Sequence, residues 1–366
     1  MRLNSEDTEI FFTLFRAGIW GNLDSSKIHK AHWETIFQLA NEQGVPGIVT
    51  DAVAKLPTNL RPPKPLFASM LLTVKCIEDD NRKAINIAGK LQWYLHKQGC
   101  DTVILKGLGM ARNYPNPEHR IAGDIDLLTD LSSEAFDKGR KLLLKIDPNE
   151  TDVDLKRKHS AYSINGQMVE LHGSISGGVN PYIDRYMKDF CDREFSKPPV
   201  EWNSPIGMLH LPTYQFDAIY IFAHFFRHFM GAACGMRQLC DWMLFIYQHG
   251  NKVNVDLLRK DLERMRLIKA WQVFASITVR YMGMPKEKML LYDGTGDKKC
   301  EAAILAVINA NHQLSNLRRK KQLSSSVLQH VSSFCYLLPT YYRNLQVFPK
   351  ETLYSLKKYI SFRLHV

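Results

Sequence analysis

The 366-residue chain lacks any CxxC pair, and its cysteine count is odd. The seven cysteines stand at positions 76, 100, 191, 234, 240, 300 and 335. This spacing argues against structural zinc and against a disulfide framework, and it fits reduced thiols of a cytoplasmic protein. The opening residues, MRLNSEDTEIFF, lack a basic stretch leading into an apolar run, so no signal peptide is expected. Long apolar runs are missing as well. The longest, Ala218 to Cys234, contains His224, Arg227 and His228, and is too short and too polar to span a bilayer. No membrane association is expected. No internal repeat and no low-complexity tract occurs, which excludes solenoids and extended disorder.

What is present in excess is positive charge, 48 Lys and Arg against 37 Asp and Glu, for a formal net charge of +11. A basic surface favours anionic ligands such as nucleoside triphosphates or nucleic acid. The basic residues are scattered, apart from the run Arg318-Arg319-Lys320-Lys321, which reads as a solvated helix face. No zinc-finger spacing, RNP-like aromatic motif or heptad-linked basic region is found. A sequence-specific nucleic-acid binder is therefore not expected.

Residues 1–98 read as a helical region. Trp33, Phe37 and Ala40 share a helical face that stops near Gly44, and Ala84, Ala88, Leu91 and Leu95 form a second stripe ending near Gly99. The pattern changes over 99–204. Thr102–Leu105 (TVIL) has the composition of a short buried strand, and Asp124–Thr129 (DIDLLT) alternates like another. Ser132 or Ser133 caps a helix running to about Ile146, with Glu134 in its first turn. HSAYSI and QMVELHGSI then flank Asn165-Gly166, the strongest short hairpin signal available. This is an α+β unit, a mixed-sheet core. Residues 205–366 read as a C-terminal helical region, divided by a loop with Pro285, Gly294 and Gly296.

The chemistry is concentrated in Gly123-Asp124-Ile125-Asp126-Leu127-Leu128. On a strand, residues two apart face the same side, so Asp124 and Asp126 aim two carboxylates at one point while Ile125 and Leu127 enter the core. Adjacent like charges need something positive between them. A hard divalent cation, magnesium or manganese, is the natural partner. Gly123 lets a phosphate come close. Glu170, between Val169 and Leu171, is an acidic residue in an apolar strand, and it either completes a three-carboxylate metal site or forms a buried ion pair. His224 and His228 are four apart, as are Arg237 and Asp241. They form a polar cleft wall or, alternatively, core histidines and an i,i+4 ion pair.

Leu105-Lys106-Gly107, Tyr114-Pro115, Arg120, the Gly123–Leu128 stretch, Val169-Glu170-Leu171-His172, and His224, His228, Arg237 and Asp241 together resemble the uncharacterised bacterial nucleotidyltransferases of the polymerase-beta-like superfamily. Leu39-Ala40 and Gly44-Val45 have a similar character. The resemblance covers most of residues 30–245, and the last 120 or so residues match nothing comparable. It implies transfer of a nucleoside monophosphate from a nucleoside triphosphate to a hydroxyl of a small molecule or protein. Two magnesium ions about 3.5–4 Å apart would serve such a reaction. Asp124, Asp126 and Glu170 then correspond to the metal ligands and catalytic carboxylates. Lys106, Gly107, Arg120 and Gly123 correspond to the nucleotide site, and Tyr114, His172, His224, His228, Arg237 and Asp241 to the substrate cleft. One departure stands out: the phosphate-cradling turn, usually Gly-Ser or Gly-Gly, is Lys106-Gly107-Leu108, so a cation, Lys106 or Arg120, replaces the hydroxyl. An RNA-acting transferase, favoured by the positive charge, and a non-catalytic nucleotide-binding protein with a degenerate site are the alternatives.

Overall fold

The computed structural model describes residues 6–175, 178–231, 234–320, 338 and 341–364, and the side chains of these residues outside 309–320 and 358–364. The basic run at 318–321 thus lies outside the residues described at side-chain level. The architecture is α+β, a mixed sheet flanked by helices. In chain order come α1 (Glu6–Trp20), α2 (Trp33–Glu42), α3 (Pro46–Ala54) and the long α4 (Lys64–Lys97), then β1 (Thr102–Leu105), α5 (Gly107–Ala111), β2 (Ile125–Thr129) and α6 (Ser133–Leu144). Three strands follow, β3 (Thr151–Asp154), β4 (His159–Ile164) and β5 (Gln167–His172). Beyond them lie α7 (Pro181–Phe195), a hairpin of β6 (Val200–Ser204) and β7 (Gly207–Leu211), α8 (Tyr214–Met230), α9 (Met236–His249), α10 (Val255–Arg264), α11 (Ile268–Arg280) and α12 (Asp297–Lys320).

Local chemistry sets these boundaries. Pro65 opens α4, where a missing N–H costs nothing, and Ser132 caps α6 by accepting from the Ala135 N–H. Asn165 and Gly166 both adopt positive φ, 52° and 73°, the geometry a two-residue hairpin turn requires. That turn fixes the register, so Ile164 pairs with Gln167 and, five pairs on, His159 with His172. β3, the β6–β7 hairpin and α7 escaped the sequence reading. β3 is interrupted by a register shift, and the β6–β7 hairpin runs across residues 204–205. α7 is amphipathic, burying Ile183, Met187 and Phe190.

The five-stranded sheet has the order β1-β2-β5-β4-β3. β2 and β5 run parallel, while the other neighbouring pairs are antiparallel. The period-two alternation of β2 divides two cores. Ile125 and Leu127 join Ile104, Val169, Leu171 and Tyr162 under α4, α6 and the β6–β7 hairpin. Leu128, with Leu105, faces the larger core built from α1–α3 and α8–α12. Complete burial of Ile125 or Leu127 is worth about 1.5–3 kcal/mol each, enough to hold β2 in a single register. Asp126 is thereby forced onto the face that looks toward α8, although it is 2 % exposed. Among the described residues no helix is long and apolar enough to cross a membrane.

Candidate active site: a carboxylate cluster under helix α8

β2 and β5 bring the acidic residues together. Asp126 pairs with Glu170 across the parallel ladder, so their side chains share a face, and Asp124 lies just before the strand. One carboxylate oxygen from each of Asp124, Asp126 and Glu170 lies within 4.8 Å of the others. Beside them is Lys106, at the end of β1, whose Nζ is 2.9 Å from Asp126 Oδ1. Leu105 is the cross-strand partner of Asp126, which puts Lys106 within reach. The backbone of Lys106 has φ 38° and ψ −135° as it caps α5. A non-glycine residue held there costs about 1–3 kcal/mol, and such strain collects where a side chain must be aimed.

Histidines complete the surround. His172 Nε2 lies 2.9 Å from Asp126 Oδ1 and 3.3 Å from Glu170 Oε2, and His159 Nε2 lies 3.4 Å from the same Glu170 oxygen. His159 and His172 hold the Glu170 carboxyl well below the usual carboxylate range. Burial, reinforced by repulsion from Asp126, raises Asp124. For Lys106, burial acts against the ammonium, but Asp126 outweighs it and the pKa rises. The cluster thus sets three carboxylates against one ammonium and two imidazole rings. Its donors are hard oxygens. That set fits the divalent magnesium or manganese ion that the sequence resemblance implies.

Tyr220 and Arg227 of α8 form the opposite wall, and His224 and His228 stand on the same helix. The two histidines meet at 2.9 Å between Nε2 atoms, and Arg227 Nη2 lies 3.3 Å from His224 Nδ1. Burial, then Lys106, drives His224 well below its ordinary value. Burial and then Arg227 push His228 down to about 4, so both rings are neutral at pH 7. Burial raises Tyr220 to about 12. Between this wall and the sheet is a cleft of about 240 Å³ lined by Lys106, Asp152, Asp154, Arg157, His159, Glu170, His172, Ser174, Ile175, Tyr220 and Arg227. A larger cleft, about 410 Å³, lies at the Thr102–Thr129 end of β1 and β2, away from the carboxylates. The smaller cleft is the one adjoining groups that can bind phosphate and metal.

Other expected site residues play a different part in the geometry. Arg120 is not among the groups at the carboxylates. Its Nε and Nη2 each donate to Asp241 at 2.7 Å, and its Nη1 donates to Ile121 O at 3.0 Å. Tyr114 donates to the same Asp241 at 2.7 Å. The helical spacing suggested an Arg237–Asp241 pair, and this is corrected: Asp241 goes to Arg120, and Arg237 donates to Ile121 O at 3.2 Å. These contacts clamp the 112–123 loop that leads into Asp124. Asn81 on α4 donates to Glu118 O and Arg120 O, both at 2.6 Å, and Gln167 donates to Gly123 O at 2.6 Å. α3 approaches so closely that a Cβ at Gly47 would sit 2.2 Å from His119 O, leaving room only for glycine. Gly107 begins α5 beside Asp124 O, and open space surrounds the Cβ direction of Gly123.

Sequence reasoning missed His159, Tyr220 and Arg227 as site residues. Counting back from the Asn165-Gly166 turn would have set His159 opposite His172. Arg227 lies between His224 and His228 on the same helix and carried a comparable signal.

The family known as uncharacterised nucleotidyltransferase matches residues 29–283, and the chain belongs to it. It is therefore a transferase, with nucleotide as the substrate class of that family. No curated protein and no solved structure matches the chain.

Proposed function

We propose that this protein is a magnesium- or manganese-dependent nucleotidyltransferase of the polymerase-beta-like kind, moving a nucleoside monophosphate from a nucleoside triphosphate to a hydroxyl of a small molecule or protein. The observation that carries this reading is the convergence of Asp124, Asp126 and Glu170 within 4.8 Å beside a cleft with Lys106 and Arg227 on its walls. The three carboxylates would hold the divalent ions. When bound, such ions lower the pKa of an attacking hydroxyl and draw charge from the leaving pyrophosphate. In the transfer, an acceptor oxygen bonds to the α-phosphorus, the bond to the bridging oxygen of pyrophosphate breaks, and the hydroxyl proton leaves to a carboxylate of the cluster. Lys106 and Arg227 supply fixed positive charge for the phosphates, in a site where burial makes each charge count for more than in water. Arg120, Tyr114 and Asp241 position Asp124 through the loop they clamp. The same reading takes the protein to act in the cytoplasm.

The test is incubation of the protein with α-labelled nucleoside triphosphates and magnesium or manganese, against small-molecule, protein and RNA fractions. Label should pass to a small molecule or protein, and Asp124→Asn with Asp126→Asn should abolish transfer. The ammonium of Lys106 on Asp126 favours a second reading, a nucleotide-binding protein whose site no longer turns over. Metal-dependent nucleotide binding without transfer to any fraction would select it. Absence of both binding and transfer would overturn the proposal.

A further inference from the structure

We propose that His159, His172 and Glu170 form a binding site for a borderline divalent transition-metal ion of the zinc class, distinct in its donors from the all-carboxylate set with which it shares Glu170. The three donor atoms converge within 4.8 Å. Their placement follows from the sheet. Glu170 and His172 are two apart on β5 and face the same side, and His159 is the cross-strand partner of His172 on β4.

Two of the three donor separations are also compatible with coordination to one ion. His172 Nε2 and His159 Nε2 stand 3.3 Å and 3.4 Å from Glu170 Oε2. A hydrogen bond between such atoms is about 2.7–3.2 Å long. A tetrahedral ion with bonds of about 2.0–2.1 Å holds its donors about 3.3–3.4 Å apart. A second observation concerns the ring of His159, whose Nδ1 lies 2.9 Å from Asp152 O. The carbonyl can only accept, so Nδ1 carries the proton. Nε2 of His159 therefore faces the Glu170 carboxylate, where it either donates a proton or, once that proton is displaced, coordinates a metal ion beside the same carboxylate. A backbone carbonyl fixing the tautomer of a ligating histidine is a common outer support of metal sites. Asp152 lies within the register shift of β3 between Thr151 and Asp154, and its backbone has φ 47°.

The site is accessible. His159, Glu170 and His172 all line the cleft of about 240 Å³, which leaves room for a water or a substrate oxygen as a fourth ligand. Two imidazoles and a carboxylate disfavour magnesium, which prefers oxygen donors, and favour zinc, in keeping with the softer preference of nitrogen ligands. His172 Nε2 donates to Asp126 Oδ1 at 2.9 Å, so an ion bound there displaces that proton and gains Asp126 as neighbouring negative charge.

This inference does not depend on nucleotidyl transfer, and its test omits nucleotide. The full chain, stripped with chelator and kept in millimolar magnesium, is titrated with Co2+ and then with Zn2+. We expect one Co2+ with the visible absorption of low-coordinate nitrogen and oxygen ligation, displaced stoichiometrically by Zn2+. His159→Gln should weaken Zn2+ binding by at least about tenfold and remove the band. A second readout needs no variant: Zn2+ should protect His159 and His172 from acylation by diethyl pyrocarbonate, read by mass spectrometry. Binding unaffected by His159→Gln, loss of Co2+ binding in magnesium, or acylation of both rings at full rate in Zn2+ would each overturn the proposal.

Discussion

Removing the carboxylate of Asp241 should be among the most damaging changes in the molecule, even though Asp241 touches none of the clustered carboxylates. Arg120 is 5 % exposed, and two of its nitrogens are spent on Asp241 at 2.7 Å. Asp241→Ala leaves a buried guanidinium without its counter-ion, a loss of about 3–5 kcal/mol, and also deprives Tyr114 of its acceptor, worth about 1 kcal/mol. Unfolding entropy of about 2.1 cal/mol/K per residue gives about 0.8 kcal/mol/K for a chain of this length melting in one transition. Tm should then fall by about 5–8 °C, measured by calorimetry or by far-ultraviolet circular dichroism. The double variant Arg120→Met with Asp241→Leu, which removes both charges, should recover most of the loss, because the penalty comes from the unpaired charge and not from missing volume. A Tm within about 1 °C of the parent for Asp241→Ala would refute the reasoning. So would a double variant that falls as far as the two single changes added together.

Lys106→Met and Arg227→Met should each weaken nucleotide binding by about tenfold to a hundredfold, from the loss of one charge-assisted contact, and titration calorimetry with a non-hydrolysable triphosphate checks this. Asp126→Asn should abolish metal-dependent nucleotide binding and also lower stability by about 1–3 kcal/mol in metal-free buffer, since Lys106 and His172 keep an oxygen acceptor but lose its charge; an unchanged denaturation midpoint would contradict the pairing. Stability should also depend on His119, whose Nδ1 faces Asp51 and whose Nε2 faces Glu78, and whose pKa is raised first by the hydrogen bond to Asp51. A raised folded-state pKa contributes stability that is complete below the unfolded value of about 6.5 and is lost as pH rises through the folded value. The Tm of the parent should therefore drop across that window relative to His119→Gln, and parallel pH profiles would exclude the effect.

Legibility in the sequence followed the range of the interaction. TVIL, the apolar positions of DIDLLT, the Ser132 cap and the Asn165-Gly166 turn are local signals, and the structure places a strand, a strand, a cap and a hairpin turn there. The meeting of Asp126 with Glu170 was within reach because both interrupt apolar alternation. Partners chosen by tertiary packing were not. Asp241 has an arginine one helical turn earlier, which local spacing favours, yet it pairs with Arg120, 121 positions away. β3 was hidden because its residues are mostly exposed and its ladder is broken, leaving no apolar alternation to read. The strain at Lys106 is likewise invisible in composition. Only the closeness of β1 to Asp126 explains why a lysine stands where a glycine would fit more easily.

The parallel pairing of β2 with β5 carries a consequence for how the chain comes to be folded. Antiparallel neighbours such as β4 and β5 join through a two-residue turn, but β2 reaches β5 only across the intervening α6, β3 and β4. Non-local closures of this kind are slow, because loop entropy is spent before contacts return it. During synthesis Asp124 and Asp126 emerge well before Glu170, and Arg120 must wait longer still for Asp241. Early in its life, then, the chain carries acidic groups and an arginine whose eventual partners have not yet been made. If the cluster holds a metal as proposed, refolding followed by ion binding should lag refolding followed by helix content.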